Sequence, residues 1–280
     1  MKVYRSVKSL AREIRRIKKQ DKSIGLVPTM GFLHQGHLSL IRKAKKENDF
    51  IVVSIFVNPA QFGPKEDFRK YPRDAAGDLA LCGKEGVDAV FAPSPKDMYP
   101  EGYRTYVNVE GLSGALCGAS RPGHFRGVAT VVIKLFNIAG PDAAYFGQKD
   151  AQQAIVIKRM ARDLNIPVRI KVMPTVREKD GLAMSSRNAY LDAKGREDAL
   201  CLHESLKLAK GLFDRGEREP ARIIKKMREV IKRNKRAEIE YISIVDQEGL
   251  GAVDRARKGA LIALAVRVGG TRLIDNIVLN

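Results

Sequence analysis

Apolar and polar positions alternate along this chain in two rhythms. Residues 5–20 carry apolar side chains at helical spacing with basic residues between them, which predicts an amphipathic helix. Ile24-Gly25-Leu26-Val27-Pro28 reads as a short strand, followed by a loop with glycine and histidine and a helix over about 38–47. Residues 51–57 are apolar at nearly every position, the pattern of a strand covered on both faces in a parallel sheet. The alternation continues with a helix over 74–85, a strand over 87–92, an apolar helix over 127–138, a strand over 143–146, a helix over 152–164 and a strand over 168–173 that stops at Pro174. Strand and helix taking turns in this way predict an α/β fold, a Rossmann-like doubly wound parallel sheet, over residues 1–175.

Beyond residue 175 the rhythm changes. Residues 193–215 and 219–234 read as basic helices, and 239–245, 260–268 and 272–278 as strands with tight connections. A smaller C-terminal α+β domain over 176–280 with an antiparallel sheet is expected, placed as a lid. No internal repeat or low-complexity linker interrupts the chain.

Composition narrows the class without changing this picture. The chain has 280 residues, 44% of them hydrophobic and 30% charged, which is ordinary for a globular protein and argues against disorder or coiled coil. No apolar run reaches the roughly 20 residues of a membrane span. Met1-Lys2-Val3-Tyr4-Arg5 lacks a signal-peptide core, and three well-separated cysteines, Cys82, Cys117 and Cys201, suit a reducing compartment, so the cytoplasm is expected. The net charge of +19 favours anionic partners. Residues 1–20 hold eight Lys/Arg against one acid, and residues 201–240 hold twelve against seven. These charges fall on the outer faces of predicted helices, and no basic run is interleaved with aromatics. A charged solvent surface is therefore expected rather than nucleic-acid binding.

The segment richest in chemistry is Pro28-Thr29-Met30-Gly31-Phe32-Leu33-His34-Gln35-Gly36-His37. It follows the first strand of the α/β unit and opens the next helix, where open α/β sheets bind ligands. Gly31 and Gly36 remove Cβ atoms so that backbone can approach a ligand. A helix starting near His37 turns its N–H groups and positive end toward the loop, which suits phosphate. His34 and His37 add donors, and their protonated forms would neutralise a departing pyrophosphate. A lone histidine near a strand end more often serves structure, and His-x-x-His is also half of a metal site. With four histidines in the chain and no adjacent Cys or Glu cluster, no resident metal is expected.

Met184-Ser185-Ser186-Arg187 lies just after the last strand of the α/β unit. Two hydroxyls and a guanidinium fork suit phosphate oxygens, although such a sequence alone usually means a turn or a cap. An early His-x-Gly-His loop paired with a late Met-Ser-Ser-Arg loop resembles the nucleotidyltransferase superfamily, which includes the class I aminoacyl-tRNA synthetases.

Four further segments sharpen the resemblance: Ser54-Ile55-Phe56-Val57-Asn58-Pro59-Ala60-Gln61-Phe62, Asp67-Phe68-Arg69-Lys70-Tyr71-Pro72-Arg73-Asp74, Arg121-Pro122-Gly123-His124-Phe125-Arg126-Gly127-Val128 and Phe146-Gly147-Gln148-Lys149-Asp150-Ala151-Gln152-Gln153. In this order and spacing, along the whole chain, they resemble the pantoate–β-alanine ligases. That family usually has Glu at the position of Gln148, which leaves the role of Gln148 open.

The resemblance implies a two-step ligation: ATP and pantoate give pantoyl adenylate and pyrophosphate, then β-alanine attacks to give pantothenate and AMP. It implies a nucleotide site built from Met30, Gly31, Phe32, Leu33, His34, Gln35, Gly36 and His37, from Gly147, Gln148, Lys149 and Asp150, from Val176, and from Met184, Ser185, Ser186 and Arg187. His37, His34 and Lys149 would be catalytic, with His37 as general acid and phosphate stabiliser and Lys149 on the α-phosphate. Pantoate would sit on Asn58, Gln61 and Gln153, whose amides bind hydroxyls and carboxylate without a competing charge. Asp150 would meet ribose or Mg²⁺, which arrives with ATP. Arg121 and His124 are expected near the pocket, either lining it or organising a loop, and Tyr71 is expected to pack. A homodimer is implied as well.

Two other functions fit parts of the chain. A cytidylyl- or adenylyltransferase for a small phosphate ester would keep the histidine loop but has no need of Asn58-Pro59-Ala60-Gln61. An RNA-binding module would use the positive charge and bind in a salt-sensitive way without small-molecule turnover.

Overall fold

Along the strand Phe50–Ile55, Phe50 and Val52 enter one apolar core while Ile51 and Val53 enter another. Successive side chains of a strand point to opposite faces, so an apolar run of this kind needs cover on both sides. The computed structural model, which describes residues 1–64 and 66–280, shows that cover. Six parallel strands form the main sheet: β1 (Lys2–Tyr4), β2 (Ile24–Thr29), β3 (Phe50–Ile55), β4 (Ala89–Phe91), β5 (Ala143–Gly147) and β6 (Arg169–Met173), in the order β1-β4-β3-β2-β5-β6. On one face lie α1 (Val7–Lys18), α6 (His124–Ala139) and α7 (Ala151–Asp163). On the other lie α2 (Gln35–Glu47) and α3 (Ala75–Lys84). Two single-turn helices, α4 (Pro95–Met98) and α5 (Cys117–Ser120), sit in the long β4–α6 connection.

The basic helix at the start of the chain shows which effect decides. In α1, Lys8, Arg12 and Arg16 repeat every four residues on the exposed face, while Leu10, Ile14 and Ile17 are buried. Like charges at that spacing cost roughly 0.2–0.5 kcal/mol per pair. Each buried aliphatic side chain contributes roughly 1.5–3 kcal/mol, so burial wins.

The second unit holds α8 (Ala193–Asp214), α9 (Pro220–Ile231) and an antiparallel sheet of β7 (Ala237–Val245), β8 (Leu261–Val268) and β9 (Thr271–Val278) in the order β7-β8-β9. In β8, Ile262, Leu264, Val266 and Val268 face α8 and α9, while Leu261 and Ala263 join the core of the main sheet. The small sheet is thus apolar on both faces and seated against the first unit.

The expected elements are present with small shifts at their ends. Strand β1 was not expected: it has three residues, none buried, and pairs only with β4. Helix α2 begins at Gln35 rather than near His37, and α6 at His124 rather than Gly127. Neighbours β3 and β5 flank β2 on opposite sides, so the connections leaving β2 and β5 diverge at the carboxyl edge and open a crevice there.

Candidate active site

The crevice is a cleft of about 250 Å³ whose walls come from both units. Its floor is the mouth of α2. His34 is the N-cap of this helix, and its Nδ1 accepts the Gly36 N–H at 3.1 Å. His37 sits one turn in, and its Nδ1 accepts the His34 N–H at 3.3 Å. Imidazoles thus perform the capping that Ser or Asp usually performs. An Nδ1 that accepts a hydrogen bond carries no proton, so both neutral rings hold theirs on Nε2.

Burial first, then the nearby Lys149 ammonium, holds His34 down to about 4. Burial, then His34 and Lys149, holds His37 down to about 3. The expectation of protonated imidazoles therefore does not hold in the free cleft: at neutral pH they are uncharged N–H donors at a helix N-terminus.

The loop above them is held from outside the cleft. The carboxylate of Asp78, on α3 and 3% exposed, accepts the N–H groups of Phe32 at 2.9 Å and Leu33 at 2.7 Å. This supports Phe32 at φ +51° and Gly31 at φ +82°, in the left-handed region. A Cβ at Gly31 would lie 2.8 Å from Asp78 Oδ2, and one at Gly36 would lie 2.8 Å from His34 Cε1. The two glycines make room for Asp78 and the His34 ring, a use that spacing alone did not suggest.

A second wall is the turn after β3. Asn58 is 1% exposed and its amide is fully engaged. Its Nδ2 donates to Gln61 Oε1 and to the Gly127 carbonyl, each at 3.1 Å, and its Oδ1 accepts from Ala60 N–H at 3.2 Å and Tyr99 O–H at 2.7 Å. Asn58 lines the cleft as expected, yet acts there by orienting Gln61, whose Nε2 is left beside Met30 Sδ at 3.2 Å. His124 and Arg121 line the cleft and also organise this turn. His124 Nδ1 donates to the Gln61 carbonyl at 2.8 Å, and Arg121 bonds Glu66 at 2.8 and 2.6 Å and His124 Nε2 at 3.0 Å. Burial, then the Arg121 charge, holds His124 down to about 4. Tyr71 is 7% exposed and packs edge-on against Phe62.

The remaining walls carry the expected cations. Lys149 and Asp150 lie on the turn after β5, 3.7 Å apart, and Gln153 lines the cleft from the first turn of α7. Gly147, Val176, Met184, Ser185, Ser186 and Arg187 line it too. Ser186 Oγ donates to the Phe32 carbonyl at 3.3 Å, which joins the late loop to the histidine loop. The Arg187 fork is occupied: its Nε and Nη2 each reach the Asp67 carboxylate at 2.9 Å. Burial pushes the Asp67 carboxyl up, but the Arg187 bonds and charge outweigh it and leave it below its ordinary range.

Five expected residues do not line the cleft. Gly31, Phe32 and Leu33 shape its floor through Asp78. Gln35 accepts from Arg42 at 3.3 Å on the exposed side of α2, and Gln148 bonds Asn276 of β9 at 3.0 Å. Sequence reasoning also missed Gln152, which clamps the 112–117 segment through Leu112, Ala115 and Cys117 at 2.7–3.0 Å.

Neutral donors at a helix mouth, one ammonium and a guanidinium across from them suit a polyphosphate. Amides at the neighbouring turn suit a small hydroxy acid without adding charge.

The chain is similar to known proteins of one family over its whole length. A family model described as pantoate-beta-alanine ligase matches residues 2–278. A pantothenate synthetase of Moorella thermoacetica is 55% identical over 280 residues, covering 100% of this chain and 99% of that one. One from Acetivibrio thermocellus is 54% identical over 280 residues, covering 100% of both. Among solved structures, pantothenate synthetase from Thermus thermophilus superposes with a TM-score of 0.94 at 44% identity, over 99% of each chain. The pantoate-beta-alanine ligase from Francisella tularensis, complexed with beta-gamma ATP and beta-alanine, gives a TM-score of 0.83 at 36% identity, over 99% of this chain and 97% of that one.

Proposed function

The chain belongs to the pantoate–β-alanine ligase family, and from that premise we propose how its cleft carries out the reaction. The enzyme condenses pantoate with β-alanine at the expense of ATP to give pantothenate. In the first step the pantoate carboxylate attacks the α-phosphate, forming an acyl–phosphate bond as pyrophosphate leaves. In the second the β-alanine amine attacks the acyl carbon, an amide forms, and AMP departs with the bonding pair.

The triphosphate lies on the mouth of α2, with His34 and His37 donating from Nε2 and Lys149 meeting the α-phosphate. Pyrophosphate leaves as an anion, so this step needs charge stabilisation more than a proton, which neutral imidazoles at a helix N-terminus supply. Gly147, Asp150, Val176 and the 184–187 loop enclose the rest of the nucleotide. Gln61 and Gln153 hold pantoate, and Asn58 sets the Gln61 amide. No residue forms a covalent intermediate, because the acyl phosphate is already activated, and orientation supplies roughly 7–11 kcal/mol.

Among the described residues no group of three or more His, Cys, Asp or Glu is placed to hold a metal. Mg²⁺ enters with ATP in this reading, and the half-exposed Asp150 is open to it. The reading extends to a division near residue 175 with 176–280 as lid, to a homodimer, and to the cytoplasm. Three buried free cysteines support a reducing compartment, and among the described residues no helix is long and apolar enough to cross a membrane.

The observation that carries this reading is the joint placement of the His34/His37 cap and the Gln61 turn on one cleft. The test is isotope exchange: labelled pyrophosphate enters ATP only when pantoate is present. Exchange without an acid, or only with an amino acid, contradicts it.

A further inference from the structure

Two adjacent residues near the end of the chain touch two walls of the cleft. Asp275, 3% exposed on β9, takes the Arg177 fork at 2.6 and 3.0 Å and so anchors the hairpin that runs from Val176 to Met184. Asn276, 5% exposed, reaches the turn Gln148–Asp150. Its Nδ2 donates to the Gln148 carbonyl at 3.0 Å and the Lys149 carbonyl at 2.9 Å, and its Oδ1 accepts from Gln148 Nε2 at 3.0 Å. Reversing the amide would set oxygen against two carbonyls and N–H against N–H, so its orientation is determined.

The turn that Asn276 grips has no side-chain cap of its own. The Lys149 side chain is 19% exposed, and its one ion-pair partner among the described residues is Asp150, at 3.7 Å. Beyond that contact, the position of the backbone sets where the ammonium can reach. That backbone is held by Asn276, 127 residues away in the chain, from the sheet of the second unit.

We propose that Asn276 is the positioning residue for Lys149: it fixes the 148–149 backbone so that the ammonium meets the α-phosphate during adenylation. It also assigns Gln148 a role, as donor to Asn276 rather than as a nucleotide contact. The inference rests on the reading above that Lys149 serves the phosphate.

The test is a double-mutant cycle read by pantoate-dependent pyrophosphate exchange. Asn276→Ala lowers kcat by about tenfold or more, because a misplacement near 1 Å costs up to about 10²-fold, while KM for pantoate stays within about twofold. Lys149→Ala lowers kcat by about 10²-fold or more. The double variant falls no further than Lys149→Ala, since Asn276 acts through that side chain. If Asn276→Ala does not accumulate as folded protein, the isosteric Asn276→Asp, which turns a carboxylate oxygen onto two carbonyls, reports the same non-additivity. Full activity of the position-276 variant, or a loss that adds to that of Lys149→Ala, overturns the proposal. Undiminished exchange by Lys149→Ala alone removes Lys149 from the phosphate site and the proposal with it, a failure distinct from additivity.

Discussion

The rings of His34 and His37 lie 4.1 Å apart at an angle of 38°, each with its Nδ1 taken by a backbone N–H of the helix mouth they cap. Capping and tautomer are therefore one device: the bonds that start α2 also fix the tautomer that the rings present to the cleft. With His34 held down to about 4 and His37 to about 3, nitrogen-15 NMR at pH 6 is expected to show both protonated on Nε2 and bare on Nδ1. Doubly protonated rings at that pH contradict this.

The same burial makes stability depend on pH. In the folded chain His34, His37 and His124 sit near 4, 3 and 4, against 6.5 when unfolded. Between about pH 4 and 6.5 the unfolded chain binds more protons, so stability is greatest above that window and falls as pH drops through it. The urea midpoint is expected to be lower at pH 5 than at pH 7.5, and less so in His124→Gln. A midpoint that does not move between the two contradicts the burial argument.

Charge stabilisation and proton transfer at His37 are separable. His37→Ala is expected to lower adenylation by about 10²-fold or more, the range for a lost donor of this kind. An amide donates a hydrogen bond but transfers no proton, so His37→Gln recovers part of the loss. Pantoate-dependent exchange measures both, and a Gln variant no better than Ala would make His37 a general acid.

Asp67 holds the Arg187 fork at 2.9 Å on both arms. A triphosphate that uses this fork must displace the carboxylate. Asp67→Asn keeps the shape and removes the competing charge, so KM for ATP is expected to fall about threefold or more. A rise in KM for ATP would mean that the pair itself shapes the site.

Much of this was readable because its signals are local. The apolar run at residues 51–57 marks a strand covered on both faces and that at 143–146 a strand, and the residues expected to meet phosphate are concentrated within 30–37 and 184–187. What escaped reading is held together across the fold. Strand β1 is three unburied residues that gain order only beside β4. Asp78 is an ordinary first-turn acid of α3 until folding brings it under Phe32, 46 positions away. Gln152 and Asn276 reach partners 35 and 128 positions distant, and no short pattern marks such residues. Asn58 is expected from the sequence to hold substrate, whereas its four bonds show that it orients Gln61 at the cleft wall. The start of α2 was misplaced because imidazoles replace the usual capping residues.

The most direct measurement is a crystal structure with pantoate and a non-hydrolysable ATP analogue. The expected result has phosphate oxygens within hydrogen-bond distance of Nε2 of both His34 and His37, Lys149 on the α-phosphate, Arg187 turned from Asp67 to the triphosphate, and pantoate on Gln61 and Gln153. A triphosphate lying away from the mouth of α2, with both imidazoles still unoccupied, would contradict it.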